Sequence, residues 1–405
     1  MRIAYFTSSY PRATDTFIQR EVVHLRAAKE DVLTCALRAA PDANNVSTLV
    51  ISERKNTTYF LPANPLKLLS LNLKYLFSSP GRYAKTWSLA FKTRRHGIIG
   101  TLYQLFYFQE ALLLANYLEN NNIDHIHNHF GDSSGMVTML ASKLSNIGYS
   151  ITFHGPHIFF EPTLLALREK VKYAKFIVCI SNYCKSQMML FSDAQDWHKL
   201  QIVHCGIDVN SYTFAQQPEK QADRPVKLLY VGRLAAEKGV PVLLRSLIAL
   251  KNEGHQFHLT LLGDGPERAA LEAEVKAHGL EQMVHFGGFA SQETVRSTLQ
   301  ASDVFVLPSF AEGVPVSLME AMACGVPVIG TNVGGVTELI EHGVSGLVVA
   351  PSDEVALKKA IADYLKNPTL RESVKQAARK VVETQFNLDV EVNKLGQLIR
   401  TYQEE

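Results

Sequence analysis

SFAEGVPVSLMEAMACGVPVIGTNVGGVTE, residues Ser309 to Glu338, sets the architecture of the second half of this chain. The apolar run Val304 to Leu307 just ahead of it reads as a buried strand. Pro315 suits the first helical position, where a missing N–H costs nothing. Gly325 suits the residue after the helix end, and Pro327 blocks continuation. The unit is strand, loop, helix start. Backbone N–H groups of Gly313, Val314 and Val316 then point forward from a helix N-terminus, a ready anion site. Glu312 precedes that site and Glu320 lies inside the helix. A carboxylate beside an anion site is odd for a plain phosphate ligand. It suits a ligand carrying both phosphate and hydroxyl groups.

Outward from this stretch the strand–helix alternation is regular. Strands are expected at Lys227–Val231, His258–Leu262, Val284–Phe286, Val304–Leu307, Val326–Ile329 and Leu347–Val349, with helices from Val240, after Gly263-Asp264-Gly265-Pro266, from Ser291 and, capped by Ser352, from Asp353. This is a doubly wound α/β domain, whose ligands sit at the carboxyl ends of the strands. Arg233 and Lys238, in GRLAAEKG, fall at the same edge as Glu312. Two cations and a helix N-terminus can hold a diphosphate without a metal; the alternative is an ordinary surface Arg and Lys. Neither GDG nor Gly287-Gly288 is a GxGxxG fingerprint, and the Walker spacing is absent, which argues against a dehydrogenase. No local Ser-His-Asp or Cys-His setting marks a nucleophile.

The first half opens with a strand at Arg2–Phe6, a loop at Thr7–Thr14, a helix at Thr16–Lys29 and a strand at Val32–Leu37, a βαβ pattern. Ile123 to His129 is a strand that puts His125, His127 and His129 on one face. No nearby carboxylate or cysteine pattern completes a metal site, so one or two histidines lining a cleft, the rest structural, is the expectation. SITFHGPH, from Ser150 to His157, is a strand with His154-Gly155 at its carboxyl end, where the ligand crevice of an open sheet lies. A strand at Phe176–Ile180, a helix capped by Ser181 and a strand at Gln201–His204 follow. The polar segment Gln216 to Pro225 marks the boundary. Two domains are expected, residues 1–208 and 209–384, with a helix at 385–405 packing back on the first.

The 405 residues exceed one ordinary core. The net charge of +2 gives no global argument for nucleic acid. Five scattered cysteines without a CxxC pair read as buried free thiols in a reducing cytosol. The N-terminus lacks the apolar core of a signal peptide, and no run of about eighteen apolar residues predicts a transmembrane helix. Residues 54–109 contain nine Lys and Arg and no Asp or Glu, interleaved with Leu66, Leu69, Leu73, Leu76, Phe77, Trp87 and Phe91. That composition fits helices lying on an anionic membrane; a helical pair packed on the domain with a solvated basic face is the alternative. No nucleic-acid-binding module accompanies the basic residues.

GRLAAEKG, the GDGP turn and SFAEGVPVSLMEAMACGVPVIGTNVGGVTELI, with its Glu-x7-Glu frame, resemble glycosyltransferase family 4, of the GT-B fold: two Rossmann-like doubly wound domains facing a central cleft. YPRATDTFIQRE, HNHFG at His127–Gly131 and FHG at Phe153–Gly155 are similar to members that build bacterial exopolysaccharide, such as colanic acid. Thr14-Asp15 stands where Ser-Glu is usual there, and the Gly-Gly that many members carry in the first loop is absent between Ser8 and Thr16.

The resemblance implies that Arg233 and Lys238 bind the donor diphosphate, Glu312 the donor sugar and Glu320 both ribose hydroxyls. Gly232, Gly263 and the backbone from Gly313 through Val314 and Pro315 to Val316 would line the donor, and Gly288-Phe289 would hold the base. His154 would sit by the sugar in the interdomain cleft, with Tyr10, Thr16, His127 and His129 on the acceptor side. It implies a retaining reaction in which the leaving phosphate takes the acceptor proton, so no separate base and no metal cofactor is needed. The expected partners are a nucleotide-sugar donor and a lipid-linked or oligosaccharide acceptor, with the enzyme cytoplasmic and peripheral on the plasma membrane. A GT-B sugar-nucleotide epimerase, or a nucleotide-sugar-binding protein without transfer, are the rivals.

Overall fold

Short apolar runs become parallel strands in both halves of the chain. The structure, a computed structural model, describes residues 1–12, 15–41, 48–155, 159–214 and 224–404. Ala13-Thr14, Pro156-His157 and the linker stretch 216–223 of the sequence reading lie outside the described residues. Two compact units emerge, Met1–Val203 with Asp389–Glu405, and His204–Leu388.

In the first unit seven strands run β1 (Arg2–Tyr10), β2 (Asp31–Ala39), β3 (Thr58–Tyr59), β4 (His125–His129), β5 (Gly148–Phe153), β6 (Phe176–Cys179) and β7 (Leu200–Ile202), in the spatial order β3-β2-β1-β4-β5-β6-β7. All pairings are parallel. Ile3, Phe6, Ile126, Ile151 and Ile177 are fully buried, as expected of strands covered on both faces. β1 runs past the apolar stretch, because Thr7, Ser9 and Tyr10 stay in register with Ala36, Arg38 and Ala39. The expected loop therefore starts only at Pro11.

Between β3 and β4 lie the helices Pro65–Ser78, Pro80–Lys92 and Gly97–Asn120. Asn64 caps the first by accepting from the Leu66 N–H. A minority of the apolar residues here are core: Leu71, Tyr75 and Leu89 are buried, and Trp87 stacks on Phe108 at 3.9 Å. The last helix is a correction to the sequence reading. By length and composition Gly97–Asn120 is long and apolar enough to cross a membrane. Ala111, Leu112, Leu114, Ala115 and Leu118 of its second half are buried in the unit, whereas Ile98, Ile99 and Phe106 of its first half are exposed.

The second unit contains β8 (Val226–Val231), β9 (Phe257–Leu262), β10 (Val284–Gly288), β11 (Val304–Leu307), β12 (Val328–Thr331) and β13 (Leu347–Val349), all parallel, in the order β10-β9-β8-β11-β12-β13. The order reverses between β8 and β11, the switch point where open α/β sheets take their ligands, and the loops leaving these two strands meet where the Phe310 N–H donates to Glu237 O at 2.8 Å. β12 starts later than the apolar run suggests, because the Val326 N–H still bonds back to Ala321 O at the helix exit. Asp353, not Ser352, caps the helix Glu354–Lys366, accepting from the Ala356 N–H. The chain changes unit after Val203 rather than after Asp208: Ile207 exchanges backbone hydrogen bonds with Phe386 and Leu388. The C-terminal segment is two helices, Pro368–Gln385 and Leu388–Glu404. Asp389–Glu405 returns to the first unit, where Tyr402 stacks on Phe176 at 5.1 Å. Of the five free cysteines only Cys205 is partly exposed.

Candidate active site

The carboxyl edge of the second sheet gathers most of the residues the sequence singled out. The helix Val316–Ala323 follows β11, and Pro315 precedes it in extended conformation (φ −75°, ψ 118°). Pro315 is thus the residue before the helix, not its first member. Glu312 is 7% exposed, and its Oε1 accepts from Ser309 Oγ and from Lys238 Nζ, each at 2.6 Å. Lys238 ends the short turn Ala236–Lys238 that follows β8. The ammonium is held across the switch point and keeps two further donors for an anion. Glu312 keeps Oε2, for which no hydrogen bond exists among the described residues.

The loops at this edge are tied to one another through glycines. Gly263 has φ 141°, and a Cβ there would lie 1.8 Å from Gly232 O. Its N–H donates to Gly288 O at 2.8 Å, so the loops after β8, β9 and β10 are in backbone contact. Gly334 has φ 53°, and a Cβ would lie 1.8 Å from Glu312 O. The Gly335 N–H donates to Gly313 O at 2.8 Å, fixing the loop that carries Gly313, Val314 and Pro315. Phe289 stands exposed beyond β10. Arg233 is exposed, without an ion pair among the described residues. Glu320 is 4% exposed, and its Oε1 accepts from the Tyr212 hydroxyl at 2.7 Å. The Arg296 guanidinium lies over the Tyr212 ring at 5.1 Å. Ser309 and Tyr212, which orient the two glutamates, were not among the sequence candidates; Ser309 stands three residues before Glu312 and was the legible one.

Along β4 of the first sheet, histidines are stacked inside the protein. His125, His127 and His129 are all buried, so none of the three lines a cleft. Ser150 Oγ lies 2.8 Å from His125 Nε2 and 2.7 Å from His127 Nδ1. Thr152 Oγ1 lies 3.0 Å from His127 Nε2. His129 touches two partners: its Nε2 is 3.0 Å from Glu21 Oε1, and its Nδ1 is 2.7 Å from His154 Nε2. Tyr5 donates its hydroxyl to the same Glu21 oxygen at 2.6 Å. Burial holds His125 and His129 down to about 3 and His127 well below its ordinary value; it raises the Glu21 carboxyl.

Glu21 is the carboxylate the sequence did not supply, because it comes from the helix Thr16–Ala27, far away in the chain. Glu21, His127 and His129 present ligand atoms within 4.8 Å of one another, but Tyr5 and Thr152 already engage these atoms. His154, just past β5, is the part-exposed member, packed on Phe17 at 4.5 Å and Phe130 at 5.1 Å. Tyr10 is 2% exposed, and its hydroxyl donates to Glu53. It is therefore a core residue, while Thr16 begins the helix and is part-exposed.

The family model "Glycosyltransferase Family 4" matches residues 77–211, and "Glycosyl transferases group 1" matches residues 212–381. The amylovoran biosynthesis glycosyltransferase AmsK of Erwinia amylovora is 28% identical over 98% of this chain and 99% of its own. WcaL of Escherichia coli, assigned to colanic acid biosynthesis, is 26% identical over 99% of this chain and 100% of its own. Among solved structures, Anabaena HepE in complex with UDP superposes with a TM-score of 0.76 at 18% identity, covering 99% of this chain and 100% of HepE. The two abutting family matches, the full-length relatives and the pair of parallel sheets agree: the chain belongs to glycosyltransferase family 4, with the GT-B fold.

Proposed function

We propose that this glycosyltransferase is a retaining, metal-independent hexosyltransferase. It moves a hexose from a UDP- or GDP-sugar to a lipid-linked or growing polysaccharide acceptor. The observation that carries the reading is the Lys238–Glu312–Ser309 cluster at the switch point of the second sheet. In this reading Lys238 and Arg233 take the charge that grows on the departing diphosphate, and the N-terminus of the helix Val316–Ala323 adds its partial positive charge. Glu312, pinned through Oε1, offers Oε2 to the sugar hydroxyls. Glu320 takes the ribose, and Gly288-Phe289 the base. The bond from the anomeric carbon to the phosphate oxygen breaks through an oxocarbenium-like sugar. The acceptor oxygen bonds to that carbon from the same side, and its proton passes to the leaving phosphate. HepE was solved with UDP, which favours a nucleoside diphosphate leaving group. AmsK and WcaL favour a polysaccharide product.

The acceptor side is assigned to the first unit, at the cytoplasmic face of the membrane. Leu66, Leu69, Phe77, Ile98, Ile99 and Phe106 are exposed on its helices, among exposed Lys67, Lys85, Arg94 and Arg95. Apolar side chains beside cations suit an anionic lipid surface. A screen of UDP-, GDP- and ADP-sugars by calorimetry and donor hydrolysis, with and without EDTA, tests the donor assignment. One nucleotide class should bind and turn over, unaffected by EDTA. Binding of none sinks the donor pocket, and loss of turnover in EDTA sinks the metal-free mechanism.

A further inference from the structure

We propose that a cavity in the first unit, between the edge strand β3 and the second half of helix Gly97–Asn120, binds a sugar unit of the glycan chain, apart from the donor pocket. That the sugar belongs to a glycan chain rests on the proposed transfer to a polysaccharide; the cavity itself does not. It measures about 200 Å³, and Phe60, Lys67, Asn116, Tyr117, Asn120 and Asn121 are in its lining. All of them belong to the first unit. The Asn121 carbonyl accepts from Arg2 Nη1 at 2.9 Å, and Arg2 begins β1. The cavity therefore reaches toward the amino ends of the strands, away from the carboxyl edge that an open sheet uses for its crevice.

NYLENNN, Asn116 to Asn122, puts four asparagines in seven residues at a helix end. Asparagine is a poor helix former, because its side chain competes for the backbone. Helix termination accounts for two of them: Asn121 follows the helix, and Asn122 has φ 50°. It does not account for Asn116 and Asn120, which lie four apart within the helix and so share a face. Asn116 Oδ1 accepts from Lys74 Nζ at 3.0 Å, which orients the amide and leaves its Nδ2 to donate. The Asn120 amide makes no hydrogen bond among the described residues, so it offers a donor and an acceptor side by side. Neighbouring hydroxyls of a sugar match that pattern, since each can donate to one such group and accept from the other.

Phe60 and Tyr117 meet edge to face in the cavity wall, with centroids 5.4 Å apart and planes at 70°. Aromatic rings cover the C–H face of a pyranose while the amides take its hydroxyls, the usual division of labour in a small-molecule pocket. The walls are set in advance. The Phe60 N–H donates to Ala36 O at 3.1 Å, the Tyr59 hydroxyl to Tyr10 O at 3.1 Å, and Asn121 Nδ2 to Tyr117 O at 2.8 Å, so binding orders little. Lys67 is exposed and has no ion pair among the described residues, which suits a carboxylate on the sugar. A nucleotide would call for more than one cation, and a peptide strand for a longer edge than the two residues of β3. The volume is below the roughly 300–1,000 Å³ of pockets that enclose drug-sized ligands, so it suits one sugar ring.

Saturation-transfer NMR on the full chain tests the cavity, with methyl glucoside, methyl galactoside and methyl glucuronide at millimolar concentration and no donor present. At least one glycoside should bind the wild type, the glucuronide most tightly. Asn120→Trp places a large ring at an exposed position, fills the cavity and should abolish binding in a protein shown folded by circular dichroism. Asn120→Ala should raise Kd about fivefold, the scale of one uncharged hydrogen bond. Lys67→Ala should remove the preference for the glucuronide while the neutral glycosides still bind. Binding of no glycoside to the wild type, or equal binding to Asn120→Trp, overturns the site. A glucuronide preference that survives Lys67→Ala overturns the acidic ligand. If glycosides bind at Asn120 but no sugar nucleotide is turned over, the transferase reading fails and the cavity stands.

Discussion

Lys238 illustrates how much a single side chain leaves unsaid in sequence. GRLAAEKG announces a cation near the sheet edge, yet the structure shows that cation already bonded to Glu312. In the proposed reading such a pair is half a binding site: the ammonium is aimed and keeps donors in reserve. Glu320 carries a comparable surprise, because Tyr212 holds one of its oxygens. That partner lies 108 residues away, too far for any motif to reveal. Two outcomes follow at this scale. Arg233→Ala should cut donor turnover at least about a hundredfold, the scale of one lost transition-state charge contact; because Arg233 is exposed, the melting temperature should barely move. Glu320→Ala should weaken UDP or GDP binding measured by calorimetry, and an unchanged dissociation constant would count against its ribose role.

β4 shows the same limit for a whole element. Alternation alone places His125, His127 and His129 on one face, but not whether that face is wet. It is dry: Ser150, Thr152 and Glu21 arrive from β5 and a helix to engage ring nitrogens, while His125 Nδ1 stays buried without a hydrogen-bond partner among the described residues. The cost appears in acid. Histidine ordinarily titrates near 6.5, whereas these rings are held down to about 3 or well below the ordinary value. The unfolded chain therefore binds more protons between those limits, and stability falls as pH drops below about 6.5, by up to about 1.4 kcal/mol per histidine per pH unit. Glu21 and Glu110 work the other way, since burial raises both carboxyls and so favours protonation in the folded state, but they are two groups against three. Urea midpoints should thus fall markedly from about pH 7 to about pH 5. His125→Phe keeps a flat ring stacked on Phe176 and removes one titrating group, so its acid-induced drop should be smaller. An equal drop would mean that His125 is not among the groups responsible.

For the molecule as a whole, the sheets were largely legible and the surfaces were not. Apolar runs such as Val304–Leu307 and Leu347–Val349 coincide with strands to the residue, because a parallel strand buried on both faces has no freedom of composition. Helix Gly97–Asn120 was harder: its apolar residues serve the core in one half and solvent in the other, and composition averages the two. If its exposed half and the Pro65–Ser78 helix dock on lipid, the protein should co-sediment with phosphatidylserine-containing vesicles at low salt. It should be partly released at high salt, which screens the Lys and Arg contribution. Failure to sediment at low salt would leave those side chains as an ordinary solvated face.

In the proposed function the β8–β11 edge of the second unit holds and activates a sugar nucleotide. Lys238→Ala tests it most directly, assayed by donor hydrolysis with the sugar nucleotide that binds the wild type, with circular dichroism and Tm recorded alongside. Turnover should be lower by at least about a hundredfold in a protein that remains folded. Near-wild-type turnover would contradict it.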